Sequence, residues 1–122
     1  MTDSAIDRTA FDRLVEMTGG ELDFVDELVD TYLQDGAAQV AALEAAVAAG
    51  GAPDDLVRPA HSLKSSSLNV GAVRLGGICR ELEEAARSGV VPAAAERVSA
   101  IAVGFGDARR ELLAERERRT PS

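Results

Sequence analysis

Residues 54–89 read DDLVRPAHSLKSSSLNVGAVRLGGICRELEEAARSG. Apolar and small side chains recur here at steps of three and four, the spacing of one helical face. Leu56, Ala60, Leu63, Ser67 and Val70 form one such stripe, and Leu75, Ile78, Cys79, Leu82 and Ala86 form another. Gly71 separates the two stripes, and Ser88-Gly89 closes the second as a C-cap would. The stretch therefore predicts two helices, from Asp54 or Asp55 to Asn69 and from Ala72 to Arg87, folded back on each other about Gly71. In such a hairpin, position 61 lies opposite position 82 or 83. Pro59 is out of place, because a proline beyond the first turn loses a hydrogen bond and crowds the preceding carbonyl. Either the regular helix starts late or it bends one turn before His61.

The same period continues on both sides. A short helix is expected over Thr9–Met17, with Thr9 and Asp12 at capping-box spacing and Phe11, Leu14 and Val15 on its apolar side. Gly19-Gly20 ends it. A long helix follows over Glu21–Ala49, its stripe made of Val25, Leu28, Val29, Tyr32, Gly36, Val40, Leu43 and Val47. Gly36 is a weak point there, costing about 1 kcal/mol relative to alanine. A last helix is expected from Pro92, an apt first-turn residue, with Val98, Ile101, Phe105, Ala108 and Leu112 on one side. Gly104 and Gly106 flank Phe105, which calls for a bend or a tight helix contact. The connections are short, so successive helices should run antiparallel. The expected fold is all-α: an antiparallel up-down-up-down four-helix bundle with a short extra N-terminal helix. It forms one domain over residues 1–122, with a core of about 9–114 and a charged tail, 115–122, that frays.

Composition sets the outer bounds. A chain of 122 residues builds one hydrophobic core. With only 3% aromatics and no tryptophan, that core must be made of Ala, Val and Leu, as suits closely packed helices. A net charge of −8 argues against nucleic acid and against an anionic membrane face. The single cysteine, Cys79, rules out an internal disulfide and reads as a buried small hydrophobe. The N-terminus lacks the apolar stretch of a signal peptide, and the most apolar run, residues 36–52, is too short and polar to span a bilayer. A cytoplasmic, monomeric protein is expected, and the starting methionine fits a free-standing one.

The chemistry concentrates on one helix face. His61 is the only histidine, and three residues on stands Lys64, the only lysine. Val57, Arg58, His61, Lys64, Ser65 and Leu68 share that side at spacings of three and four. It adjoins the buried stripe but is distinct from it, so His61 should be exposed on a rigid rod. Histidine keeps a useful neutral fraction at cellular pH, and a lysine one turn away can neutralise a phosphoryl group placed on its ring. Ser65 leaves little bulk beside the imidazole, so a partner can approach. Val57 and Leu68 put apolar groups on a face that would otherwise be charged, as a docking surface requires. Across the hairpin, Leu82 belongs to the core, which leaves Glu83 near the ring. A carboxylate there would fix the tautomer and free the other nitrogen to attack, though an ordinary solvent-facing acid is an equal reading.

The run His61-Ser62-Leu63-Lys64-Ser65-Ser66-Ser67, closing with Gly71-Ala72, resembles the signature of histidine-containing phosphotransfer (HPt) domains. The long acidic-aliphatic helix ahead and LGGICRELEEAARSG behind extend the resemblance from about Phe11 to Leu113. It implies a bundle in which His61 takes a phosphoryl group from a receiver-domain aspartate and passes it on. It also implies that Lys64 assists that group and that Glu83 holds the place of a polar residue contacting the histidine. Ser65 stands where the family usually has glycine. Ser65 and Ser66 could bond the phosphoryl group or the partner, whereas Ser67 reads as helix packing.

The implied partners are response-regulator receiver domains and a hybrid histidine kinase. Mg²⁺ is expected on the receiver, with no cofactor or metal held by this chain. A phosphocarrier without kinase activity of its own is the expectation, because no nucleotide loop and no second nucleophile are present. The competing reading is a non-catalytic helical adaptor that docks receivers or other partners. A metal-binding bundle is disfavoured by the lack of inward Glu/His pairs.

Overall fold

The structure, a computed structural model, describes residues 4–119. Five helices follow one another: α1 (Arg8–Met17), α2 (Leu22–Ala48), α3 (Pro53–Asn69), α4 (Val73–Ser88) and α5 (Ala94–Arg119), with no strand among the described residues. Helix α3 packs on α4 and α2, and α5 packs on α2 and α4, so four helices close around one core. Helix α1 lies against α2 and α3.

The buried stripes follow the sequence periods closely. Leu43, Leu56, Leu63, Leu82, Ile101 and Leu112 are fully buried at the centre, and Phe11 caps them from α1. Each such side chain contributes about 1.5–3 kcal/mol on leaving water. Burial pushes the Cys79 thiol up to about 12, which leaves it inert as a small hydrophobe. Tyr32 and Ser67 place a buried hydroxyl pair between α2 and α3, 2.8 Å apart.

Several local expectations are corrected. Thr9 does not cap α1; Asp7 does, its side chain accepting from the Ala10 N–H. Leu28 is not part of the buried stripe and stands 37% exposed. Helix α3 starts at Pro53, where a first-turn proline costs nothing, and continues through Pro59 without a break. Helix α5 starts at Ala94 and not at Pro92, because Ala93 turns the chain with a φ of +56°. The glycines of α5 do not interrupt it. Gly104 makes a tight contact, since a Cβ there would lie 3.2 Å from Leu75 Cδ1 of α4. Residues 115–119 are helical and extend α5, with Glu115 buried against Arg8 and Arg118, and Arg116 bound to Asp26 and Asp30 of α2. Residues 120–122 of the expected tail lie outside the described residues.

Two features fix the hairpin that carries His61. Gly71 turns the chain at φ +88°, and a Cβ there would meet the Asp7 carbonyl at 3.0 Å, so both conformation and space call for glycine. The Asp7 N–H donates to the Gly71 carbonyl at 2.7 Å. Just upstream, the Ala5 and Ile6 N–H groups donate to the two oxygens of Glu111 on α5, at 2.8 and 3.0 Å. The strand of chain ahead of α1 thus straps α5 to the α3–α4 turn.

Candidate functional site

Helix α3 holds His61 between Ala60 and Leu63, which are fully buried and anchor the helix on the core. The His61 side chain itself projects outward and is 52% exposed. Lys64, one turn on, is less exposed at 23%. Ser65 and Leu68 are exposed on the same side, as is Arg58, and Val57 is half-buried.

Glu83 comes from α4, where the hairpin geometry places it opposite the imidazole. It is inward-facing and only 5% exposed. Its Oε2 lies 2.9 Å from His61 Nδ1 and its Oε1 2.8 Å from Lys64 Nζ. Arg87, one turn further along α4, also reaches Oε2, at 2.8 Å through Nη2 and 2.9 Å through Nε. Lys64 chiefly, then Arg87 and His61, hold the Glu83 carboxyl down to about 2 against the opposing effect of burial. The group is therefore an anion at any physiological pH, and a carboxylate only accepts. Nδ1 must carry the ring proton it donates. Nε2 has no hydrogen-bond partner among the described residues, and in the neutral ring it is the nitrogen that carries the lone pair.

Two cations against one carboxylate leave the cluster that holds the imidazole with an excess positive charge. That arrangement suits an incoming anion. Among the described residues no group of three or more His, Cys, Asp and Glu side chains is placed to hold a metal, and no helix is long and apolar enough to cross a membrane.

The sequence-derived set comes together only in part. His61, Lys64 and Glu83 meet. The serines divide: Ser67 is buried on Tyr32, and Ser66 Oγ donates back to the Leu63 carbonyl at 3.3 Å. Ser65 has no hydrogen-bond partner among the described residues. Arg87 was not foreseen, although its spacing of four from Glu83 was available as a signal. A second omission is apolar. Leu14, Met17, Leu28 and Leu68 line a shallow cleft of about 420 Å³ together with Ala10, Arg13 and Asn69. Leu68 ties this cleft to the His61 face. Gly76 makes room for it, because a Cβ there would lie 2.6 Å from Leu68 Cδ2.

The chain is similar in sequence and fold to known proteins. The crystal structure of histidine-containing phosphotransfer protein B (HptB) from Pseudomonas aeruginosa PAO1 superposes with a TM-score of 0.85 at 33% identity, covering 96% of this chain and 98% of that one. No curated protein sequence matches the chain. Residues 27–118 match the Hpt domain family, and with that match over most of its length the chain belongs to the Hpt domain family.

Proposed function

We propose that this protein relays phosphoryl groups through His61 in a two-component phosphorelay, between aspartates of response-regulator receiver domains. Histidine phosphotransfer in a phosphorelay is the function of its family. The observation that carries the assignment to His61 is the half-exposed imidazole, held by a buried carboxylate through Nδ1 with Nε2 open. The fold that serves it is an up-down-up-down antiparallel bundle in one domain, monomeric and cytoplasmic.

In the forward direction, Nε2 attacks the phosphorus of the receiver's aspartyl phosphate in line. The N–P bond forms as the P–O bond to the aspartate breaks. Such transfers depend on positioning and on neutralising charge. Glu83 aims the ring. Lys64 is close enough to move from Glu83 toward the phosphoryl oxygens, while Arg87 retains the carboxylate. The Mg²⁺ expected on the receiver would supply further neutralisation of phosphoryl charge from the partner's side. The chain is a carrier without kinase activity of its own.

The partner docks over the face that joins His61 to Leu68. Val57 and Arg58 border it on one side. Leu68, Leu28, Met17 and Leu14 supply an apolar patch on the other, and Ser65 leaves space next to the ring. Ser66 serves that face through its backbone position, since its hydroxyl is already bonded within the helix.

A receiver phosphorylated in the presence of Mg²⁺ should pass acid-labile, alkali-stable label to the wild type. The His61→Gln variant should fold and take none. Label that persists in the variant would overturn the assignment.

A further inference from the structure

The acceptor's environment holds an asymmetry that orientation alone does not require. A glutamine at position 83 could accept the Nδ1–H bond through its amide oxygen and aim the ring equally well. The chain instead puts a full negative charge there, buries it and secures it with two cations.

We propose that the charge of Glu83 keeps a proton on Nδ1 of phosphorylated His61, so that the phosphoryl group enters and leaves without exchanging a proton with solvent. The proposal rests on His61 being the acceptor. On entry, the Nε2 lone pair becomes the N–P bond, the aspartyl carboxylate leaves with the P–O electron pair, and Nδ1 keeps its hydrogen. The ring now carries a positive charge, and the Glu83 carboxylate 2.9 Å from Nδ1 compensates it. On exit, the N–P electron pair returns to Nε2 and a neutral imidazole departs. If Nδ1 had lost its proton in the interval, the leaving group would be an imidazolate anion, and donation would stall. Retaining that proton is thus the condition for reversibility. An opposite charge at this distance favours the cationic form of its partner by about one to three pH units.

The charged groups around the ring are few. Glu83 and Arg87 face it from α4, and Lys64 and Arg58 stand beside it on α3. Helix α2, also packed on α3, contributes no ion pair to the cluster among the described residues. Arg87 competes with Nδ1 for the same oxygen, Oε2. Removing it should strengthen the grip of Glu83 on the ring proton.

The test needs no receiver. Wild type, Glu83→Gln and Arg87→Gln are loaded with phosphoramidate, with His61→Gln as the blank, and circular dichroism establishes that each is folded. Loss of phosphohistidine to water is then followed by ³¹P NMR across the pH range. The rate should hold at low pH and fall as the ring proton is lost. The midpoint of that fall should move down by about one to three pH units in Glu83→Gln, and up in Arg87→Gln. Superimposed profiles for the folded variants and wild type would overturn the proposal. If Glu83→Gln does not fold, the exposed Arg87→Gln position decides the matter: an unchanged or lowered midpoint refutes it. Failure of a phosphorylated receiver to label His61 is a separate result, and would strike the acceptor assignment itself.

Discussion

Gly36→Ala is the substitution on which helix propensity and packing disagree most sharply. Gly36 lies in the middle of α2, where alanine is favoured by about 1 kcal/mol. Propensity alone therefore makes the variant more stable. The structure reverses the sign. A Cβ at position 36 would lie 2.4 Å from Phe105 Cε1 and 2.8 Å from Cζ. The Phe105 ring cannot simply swing away, because it is 7% exposed and packs tilted on Tyr32 with centroids 5.7 Å apart. Forcing a methyl group into a filled core costs about 1–3 kcal/mol. A contact this short belongs at the upper end, so after the propensity gain the net loss should be about 1–2 kcal/mol. For a domain of this size that lowers Tm by about 3–8 °C. Urea unfolding followed by circular dichroism would measure it. The double variant Gly36→Ala/Phe105→Leu should recover a large part of the loss, since the smaller side chain vacates the notch. A Gly36→Ala protein as stable as wild type, or more so, would refute the reasoning.

Three further outcomes follow from the site and its support. Lys64→Ala should slow transfer from a phosphorylated receiver by about 100-fold or more with an unchanged circular dichroism spectrum; a wild-type rate would remove Lys64 from the mechanism. Ser67→Ala should cost about 1–3 kcal/mol, because it strands the buried Tyr32 hydroxyl. Adding Tyr32→Phe should return most of that, and strict additivity in the double-mutant cycle would show that the pair is uncoupled. Glu83 should make the protein acid-sensitive. Its carboxyl is held at about 2 in the folded chain against about 4.5 for an unperturbed glutamate, so its contribution is complete above pH 4.5 and lost as pH falls toward 2. At about 1.4 kcal/mol per pH unit the ceiling is about 3 kcal/mol, and solvent screening by way of the half-exposed Arg87 and His61 reduces it to about 1–2 kcal/mol. Stability measured against pH should therefore fall more steeply below pH 4.5 in wild type than in Glu83→Gln; parallel curves would contradict the assignment.

Much of the site was legible in residues 54–89, for physical reasons. Helical period separates the buried face of α3 from the face bearing His61, and equal distance from Gly71 places Glu83 across from it. What the period does not carry is partner choice. Lys64 reads as an outward cation free to meet phosphate, but the short reach to a buried carboxylate draws it onto Glu83. Arg87 joins for the same reason, and its role becomes visible only once Glu83 is known to face inward. Leu28 has the period of a core residue yet lies open, because the apolar stripe of α2 is wider than the surface its neighbours cover. At the C-terminus, the charged run from Glu115 on reads as a solvated tail, whereas the ion pairs of Glu115 and Arg116 reach the start of α1 and α2. A run of charges specifies no structure until the oppositely charged residues distant in sequence are brought next to it.

The strap ahead of α1 bears on which substitutions this chain can accept. Glu111 grips the backbone N–H groups of residues 5 and 6, and the Gly71 carbonyl accepts that of residue 7. Attachment of this kind is blind to side-chain identity. Evolution is free to vary positions 5 and 6 among residues that tolerate burial, with proline the main exception because it has no hydrogen to give. Position 111, by contrast, accepts both of those N–H groups with one carboxylate, and a shorter or uncharged side chain there would loosen residues 5 and 6 from α5.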